Sequence, residues 1–100
     1  MATAIKWGPK DPDAIRDFGI DWTPDLPDDV TITASTWLLD GAAWVGGGDL
    51  VKVGSSFTGT NTTVRISGGV AGTTYLVTNR IVMSDGEEDD FSQKLKIKER

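Results

Sequence analysis

The chain has 100 residues, the usual size of one compact domain. Its formal net charge of −5 argues against nucleic acid as a partner, because binding phosphates requires clustered lysine and arginine. Cysteine and histidine are absent, which excludes disulfides, cysteine-based zinc sites and the commonest general base. The sequence shows neither an apolar run of membrane-spanning length nor a signal-peptide pattern. We therefore expect a soluble protein of the cytoplasm in which it is made, with no membrane partner.

The composition favours strands over helices. Twelve glycines and many threonines are typical of short strands joined by tight turns, and no window repeats apolar residues at the helical period. Four tryptophans add large apolar surfaces to an apolar fraction of only 38%. These features predict an all-β domain with one core.

The first residues differ from the rest of the chain in their sequence pattern. Lys10–Ala14 reads Lys-Asp-Pro-Asp-Ala, a pattern that discourages regular pairing. We predict an extended N-terminal arm over residues 1–14 and a domain over residues 15–100. Trp7 lies in a segment that cannot readily join the core, so docking on another chain is expected. Removing Ala2–Lys10 should then leave the domain folded.

Alternating apolar and polar residues predict strands along the rest of the chain. The first is Ile15–Trp22, and the second is Val30–Leu39, in which the apolar residues change face as they would at a β-bulge near Ser35. Residues 41–48 form either a loop or a short edge strand. Two further strands are predicted at Leu50–Phe57 and Thr62–Ser67.

A long central strand, Tyr75–Met83, has apolar residues on both faces. Gly72 and Tyr75 at its start are typical of a tyrosine corner. Asn79 points to the same face as Tyr75, so it must be hydrogen-bonded if it is buried. After an acidic turn, Phe91–Lys98 forms the last strand. Six or seven such strands predict a two-sheet, immunoglobulin-like β-sandwich, with a small barrel as the alternative.

The sequence contains little that points to catalysis or to a cofactor. Asp85–Asp90 is rich in acids, yet it lacks the ligand spacing of an EF-hand loop, and a solvated turn is the commoner role. Gly46–Gly48 is not followed by the lysine of a phosphate-binding loop. Without histidine, a hydroxyl nucleophile has only lysine or a carboxylate as its base. We therefore expect a protein that is not an enzyme and has no cofactor or catalytic metal.

The tryptophans have different expected positions. Trp37 belongs in the core, and Trp22 is expected to close one end of the sandwich. Trp44 lies in a glycine-rich segment and is expected to be exposed, either as a contact anchor or folded over an edge. An alternative function follows, in which Trp22 and Trp44 stack on sugars in a carbohydrate-binding module.

Several segments together resemble a family of small structural proteins of tailed bacteriophages. Lys10–Ala14 and Asp17–Trp22 are similar to the opening of that family, and Val30–Trp37 is similar to its next strand. Gly68–Ile81 matches its most specific signature, G-G-x-x-G-x-x-Y-x-V-T-N-R-I. Leu95–Glu99 fits its basic C-terminal end. The acidic turn 85–90 departs from the family, which usually carries a more basic turn there.

Members of this family are described as fibre–tail adaptor or neck proteins. The resemblance implies an immunoglobulin-like sandwich in the virion, bridging connector, neck, tail or fibre proteins as a symmetric ring of copies. The residues expected to contact these partners are Ile5, Trp7, Lys10, Asp11, Asp13 and Trp44. Those expected to support the fold are Trp22, Trp37, Gly72, Tyr75, Asn79 and Arg80.

Overall fold

The structure, a computed structural model, describes residues 2–5, 7–44 and 49–99. Two four-stranded antiparallel sheets pack against each other, and the described residues contain no α-helix. The strands are β1 (Thr3–Ile5), β2 (Arg16–Asp21), β3 (Ile32–Leu39), β4 (Ala42–Ala43), β5 (Leu50–Phe57), β6 (Asn61–Gly68), β7 (Thr74–Met83) and β8 (Glu88–Lys96). The prediction of an all-β sandwich is confirmed.

The order of the strands defines the topology. One sheet has the order β1-β2-β6-β5, and the other has the order β4-β3-β7-β8. If the strands are lettered along the chain, these orders correspond to the ABED and CFG sheets of an immunoglobulin constant-type domain, with the two-residue β4 added beside β3. No helix able to cross a membrane occurs in the described ranges.

The long strand β7 lies in the centre of its sheet, between β3 and β8. Tyr75, Val77, Ile81 and Met83 alternate on the inner face and are buried. They meet the inner residues of β2 and β6, such as Ile20, in one core. The period-two pattern of the sequence thus placed the core residues of this strand correctly, because opposite faces of a strand alternate.

Two irregularities adjust the sheet edges. In β3 the register shifts between Ile32 and Ala34, close to the bulge expected near Ser35. The shift allows Ile32 and Trp37, at an odd spacing, both to face the core. In β5 the register shifts between Lys52 and Gly54, and the strand beyond that point is exposed.

The turn before β7 depends on glycine. Gly68 and Gly69 have φ angles of 76° and 105°, and a Cβ on Gly68 would clash with the Asp49 carbonyl oxygen. Because L side chains avoid this backbone region, glycine is required there. At the end of the turn the Val70 N–H donates to the Tyr75 hydroxyl (3.3 Å), the hydrogen bond expected of a tyrosine corner. Gly72, with φ 85°, donates its N–H to Ile97 O (2.8 Å).

The N-terminal segment lies on the sandwich. Thr3–Ile5 forms β1, which pairs antiparallel with β2, and Ala2 is buried against the core. At the other end of the segment Lys10 forms a parallel bridge with Ile97, just after β8. The described residues of the expected arm therefore contact both sheets, which the sequence did not predict.

Candidate partner-binding surface

Trp7 is part of the fold, so the expectation that it stays outside the core is wrong. Its indole Nε1–H donates to Gly19 O at 2.7 Å. The centroid of its ring lies 4.8 Å from the ring centroid of Phe18 and 6.2 Å from that of Trp37. Trp7 thus fastens the N-terminal segment to the sandwich, and its ring is not a free anchor for another chain.

Lys10 is also unavailable as a partner contact, because its side chain is buried. Its ammonium donates to Gly68 O (2.7 Å) and to Asp11 O (2.9 Å), and its backbone N–H donates to Lys96 O (2.9 Å). The ammonium thus satisfies a carbonyl of the glycine turn described above. Burial lowers the pKa of Lys10 below its ordinary value, although Asp11 and Asp13 oppose this shift.

The burial of Lys10 should make the free energy of unfolding depend on pH. Because the pKa of Lys10 is lower in the folded chain than the 10.5 of the free side chain, the unfolded chain binds more protons between these values. The free energy of unfolding, measured relative to a Lys10→Met variant, should therefore rise as the pH rises from the folded pKa toward 10.5. Urea titrations of both proteins across this range measure it. Parallel pH profiles for the two proteins would contradict it.

Trp44 and Trp22 are both buried, so the expected exposure of Trp44 is wrong. Trp44 is only 6% exposed, and its Nε1–H donates to Leu50 O at 3.2 Å, which folds it over the start of β5. Trp22 is fully buried. Neither ring presents a face on which a sugar could stack, so the carbohydrate-binding alternative loses its platforms. Gly46–Gly48 lies outside the described residues.

Asn79 joins the two sheets from the centre of β7. It is fully buried, and its Oδ1 accepts hydrogen bonds from Thr62 Oγ1 (2.7 Å) and Trp22 Nε1 (3.0 Å). Its Nδ2 donates to Ser35 Oγ (2.9 Å) and to Thr36 O (3.1 Å). The side chain is therefore satisfied on both ends, as a buried amide must be. The network stabilises the sandwich and offers nothing to a ligand.

The acidic turn is solvated. Within the described ranges, acidic residues form no cluster that could hold a metal ion. Asp90 pairs instead with Arg80, which donates to both carboxylate oxygens at 2.8 and 3.1 Å, and hydrogen bonding from this guanidinium lowers the pKa of Asp90. Arg80, expected to support the fold, thus makes an exposed ion pair of small energetic value.

Ile5 and Asp13 remain accessible among the residues expected to contact partners. Ile5 is 37% exposed on β1. Asp13 is exposed beside the partly buried Asp11, whose Oδ1 accepts the Asp13 N–H at 2.8 Å. The structure does not bring the six predicted contact residues together on one surface, since Trp7, Lys10 and Trp44 are occupied within the fold.

A more continuous accessible surface lies along the outer edge of β5, which ends its sheet. Thr58 N–H donates to Asn61 O at the end of the β5–β6 hairpin. Along an antiparallel pair, successive residues direct their backbone N–H and C=O groups alternately toward the partner strand and away from it. Ser56 therefore hydrogen-bonds to β6 through its backbone, while Ser55 and Phe57 direct their backbone groups to the open edge. Residues 53–57 are all exposed, and Val53 and Phe57 expose 54% and 44% of their surface.

The outer face beside this edge holds a shallow depression of about 340 Å³. Its floor includes Gly54, around which a side chain would meet nothing within 4 Å. The Arg65–Asp17 ion pair (2.8 Å) forms one rim. A strand added to β5 could thus place a side chain beside Gly54. Alternation of apolar and polar residues does not predict this surface, but the sequence does contain a signal for it: residues 53–64 include no charged residue.

Comparison with known proteins identifies the family. The family model described as "Podophage GP4 fiber-tail adaptor protein gp77" matches residues 10–96, which is most of the chain. Searches of curated proteins and of solved structures found no significant match. The matched range includes the glycine turn, the tyrosine corner, and Asn79 with all of its partners on β3, on β6 and at Trp22. The chain therefore belongs to the podophage fibre–tail adaptor family.

Proposed function

We propose that this protein is a non-enzymatic adaptor that fastens tail fibres to the tail of a podophage, through contacts with other virion proteins. The family match over residues 10–96 carries this proposal. The fold supports it, because the buried polar side chains around Asn79 are hydrogen-bonded to one another and are not directed into a pocket.

We place the protein in the neck or tail region of the virion after synthesis in the host cytoplasm, as an immunoglobulin-like sandwich arranged in a ring with connector, neck, tail or fibre proteins around it. Ile5 and Asp13 remain proposed contacts. The ring itself would bring the exposed edges of several copies to regular positions around the tail axis.

We further propose that the open edge of β5 contacts the fibre or tail partner. Ser55 and Phe57 direct unpaired backbone groups outward, and such groups are complementary to an extended segment of another protein. Natural proteins usually protect long edges with charges, and residues 53–57 carry none. The apolar surfaces of Val53 and Phe57 would be buried by the added segment.

A Ser55→Lys variant tests this contact. A lysine at the edge should oppose strand addition, because its charge would lose water when the edge is covered. Since Ser55 is exposed, the variant should melt within a few degrees of the native protein. The Kd for the partner should rise by about tenfold or more, a loss of about 1.4 kcal/mol of binding. Fibre content of purified particles, measured by quantitative mass spectrometry, should fall as a result.

The matched control is Ala71→Lys, which adds the same charge at an exposed position in the turn before β7. Its particles should carry the native number of fibres. Native fibre content with Ser55→Lys would show that the β5 edge is not the contact. Native fibre content in particles that lack the protein altogether would overturn the adaptor function itself.

A further inference from the structure

The second long edge of the sandwich is β8, and its charges follow an order. Glu88–Lys96 ends the sheet beside β7. Glu88 and Asp90 lie in its first half, and Lys94 and Lys96 lie in its second half. Because alternate residues share a face, these four side chains and Ser92 project from the outer face, and all five residues are exposed.

Most of this edge has no strand beside it among the described residues, although the Asp90 N–H donates to Asp89 Oδ1 (2.8 Å) and Lys94 O accepts from Gln93 Nε2 (3.4 Å). Ile97 N–H donates to Thr73 O, and Met83 N–H donates to Glu87 O. The odd-numbered residues of β8 therefore direct their backbone N–H and C=O groups toward β7. The even-numbered residues therefore direct their backbone groups to the outer edge. Lys10 covers this edge at Lys96, because the backbone N–H of Lys10 donates to the carbonyl oxygen of Lys96. The edge from Glu88 to Lys94 has no strand beside it in the described structure.

We propose that two copies of this chain pair antiparallel through their β8 edges, about a two-fold axis at Ser92. In that register Asp90 of one copy lies opposite Lys94 of the other, and Glu88 lies opposite Lys96. Each of these pairings occurs twice across the axis, and all of them join opposite charges. Backbone pairing over residues 90–94 would form about six hydrogen bonds. Two of them, from the Asp90 N–H of each copy to Lys94 O of the other, would replace the exposed contacts that the side chains of Asp89 and Gln93 make within each copy.

The charge order selects a second copy as the occupant. A parallel arrangement in register would place Asp90 against Asp90 and Lys94 against Lys94, which is repulsive. A partner without the same acidic-then-basic order would leave these charges unmatched as they lose water. An antiparallel copy matches all of them, because reversal of the strand exchanges its acidic and basic halves. The charges thus oppose random edge pairing while they permit this one register.

The local geometry agrees with this register. Asp90 already accepts from Arg80 on its own chain, and a carboxylate has lone pairs for a second cation. The segment at Lys10 lies at the end of the paired region, so regular pairing stops at Lys94 and the Glu88–Lys96 pairs flank it. The β5 edge stays open in such a dimer, which keeps this proposal separate from the adaptor contact. A two-fold contact closes at two copies and would not by itself build a ring.

Two single charge reversals and their mixture test the proposal. Lys94→Glu places a second carboxylate opposite Asp90, and Asp90→Lys places a second ammonium opposite Lys94, so each variant should pair with itself more weakly than the native chain does. A one-to-one mixture restores opposite charges at both positions. Sedimentation velocity of the full chain at low salt should show a native dimer and a mixed dimer, with each variant alone weakened by about tenfold or more. High salt should weaken the native dimer, because exposed pairs are screened.

Circular dichroism of each variant establishes that it is folded before sedimentation. A native chain that stays monomeric at low salt across the concentration series would overturn the proposal. So would variants that dimerise as strongly as the native chain, or folded variants whose mixture fails to recover dimer. Ala71→Lys, which adds a charge outside the paired residues 90–94, should dimerise like the native chain.

Discussion

Replacement of Asn79 by leucine is expected to lower the free energy of unfolding by about 3–5 kcal/mol. The leucine would leave Trp22 Nε1 with its longer contact to Thr62 (3.3 Å) and would remove the donors to Ser35 Oγ and Thr36 O. Buried polar groups that lose their partners in a water-free core are costly, typically about 1–3 kcal/mol each. For a domain of this size the melting temperature should fall by roughly 15–30 °C.

The neighbouring residue provides the matched control. Arg80 lies on the opposite face of β7, where its ion pair with Asp90 is exposed, so Arg80→Gln should cost no more than about 1 kcal/mol. Thermal and urea unfolding measure the stability of the native chain, Asn79→Leu and Arg80→Gln, and so compare the buried and the exposed face of β7. If Asn79→Leu is as stable as Arg80→Gln, the network does not contribute as described.

Removal of Ala2–Lys10 is expected to destabilise or unfold the domain, and not to leave it folded as the sequence suggested. The deletion removes β1, the aromatic contacts of Trp7 and the buried ammonium of Lys10. Trp7→Ala alone should cost about 2–4 kcal/mol, somewhat below a fully buried aromatic. The whole deletion should therefore approach the total stability of a small domain, about 5–15 kcal/mol.

Ile15→Thr is the control for these variants, because Ile15 is 63% exposed near the same segment. Its effect should stay within about 0.5 kcal/mol. Chemical denaturation and far-ultraviolet circular dichroism measure all three. A truncated chain that unfolds at the same urea concentration as the full chain would restore the idea of a separate arm.

Much of the sandwich followed from local pattern. Alternation along β2, β6 and β7 identified their inner faces, since side-chain direction in a strand depends only on parity. The glycine turn before β7 was recognisable because few residues other than glycine adopt a positive φ angle. Tyr75 was recognisable by its spacing from Gly72, which is typical of a tyrosine corner. The candidate surface was harder to predict, because an edge is defined by the absence of a neighbouring strand. Only the strand order shows that β5 and β8 lie at edges.

The sequence by itself determined the class of the fold, most strands and the need for a hydrogen-bonded Asn79, because these depend on residues close together along the chain. The tertiary structure decided where Trp7, Lys10 and Trp44 lie. Each lies close to glycine, proline or acids that locally favour exposure. Lys10 and Trp44 become buried and Trp7 partly buried, because contacts with Gly68, the start of β5 and Gly19 remove surface from water and satisfy polar atoms.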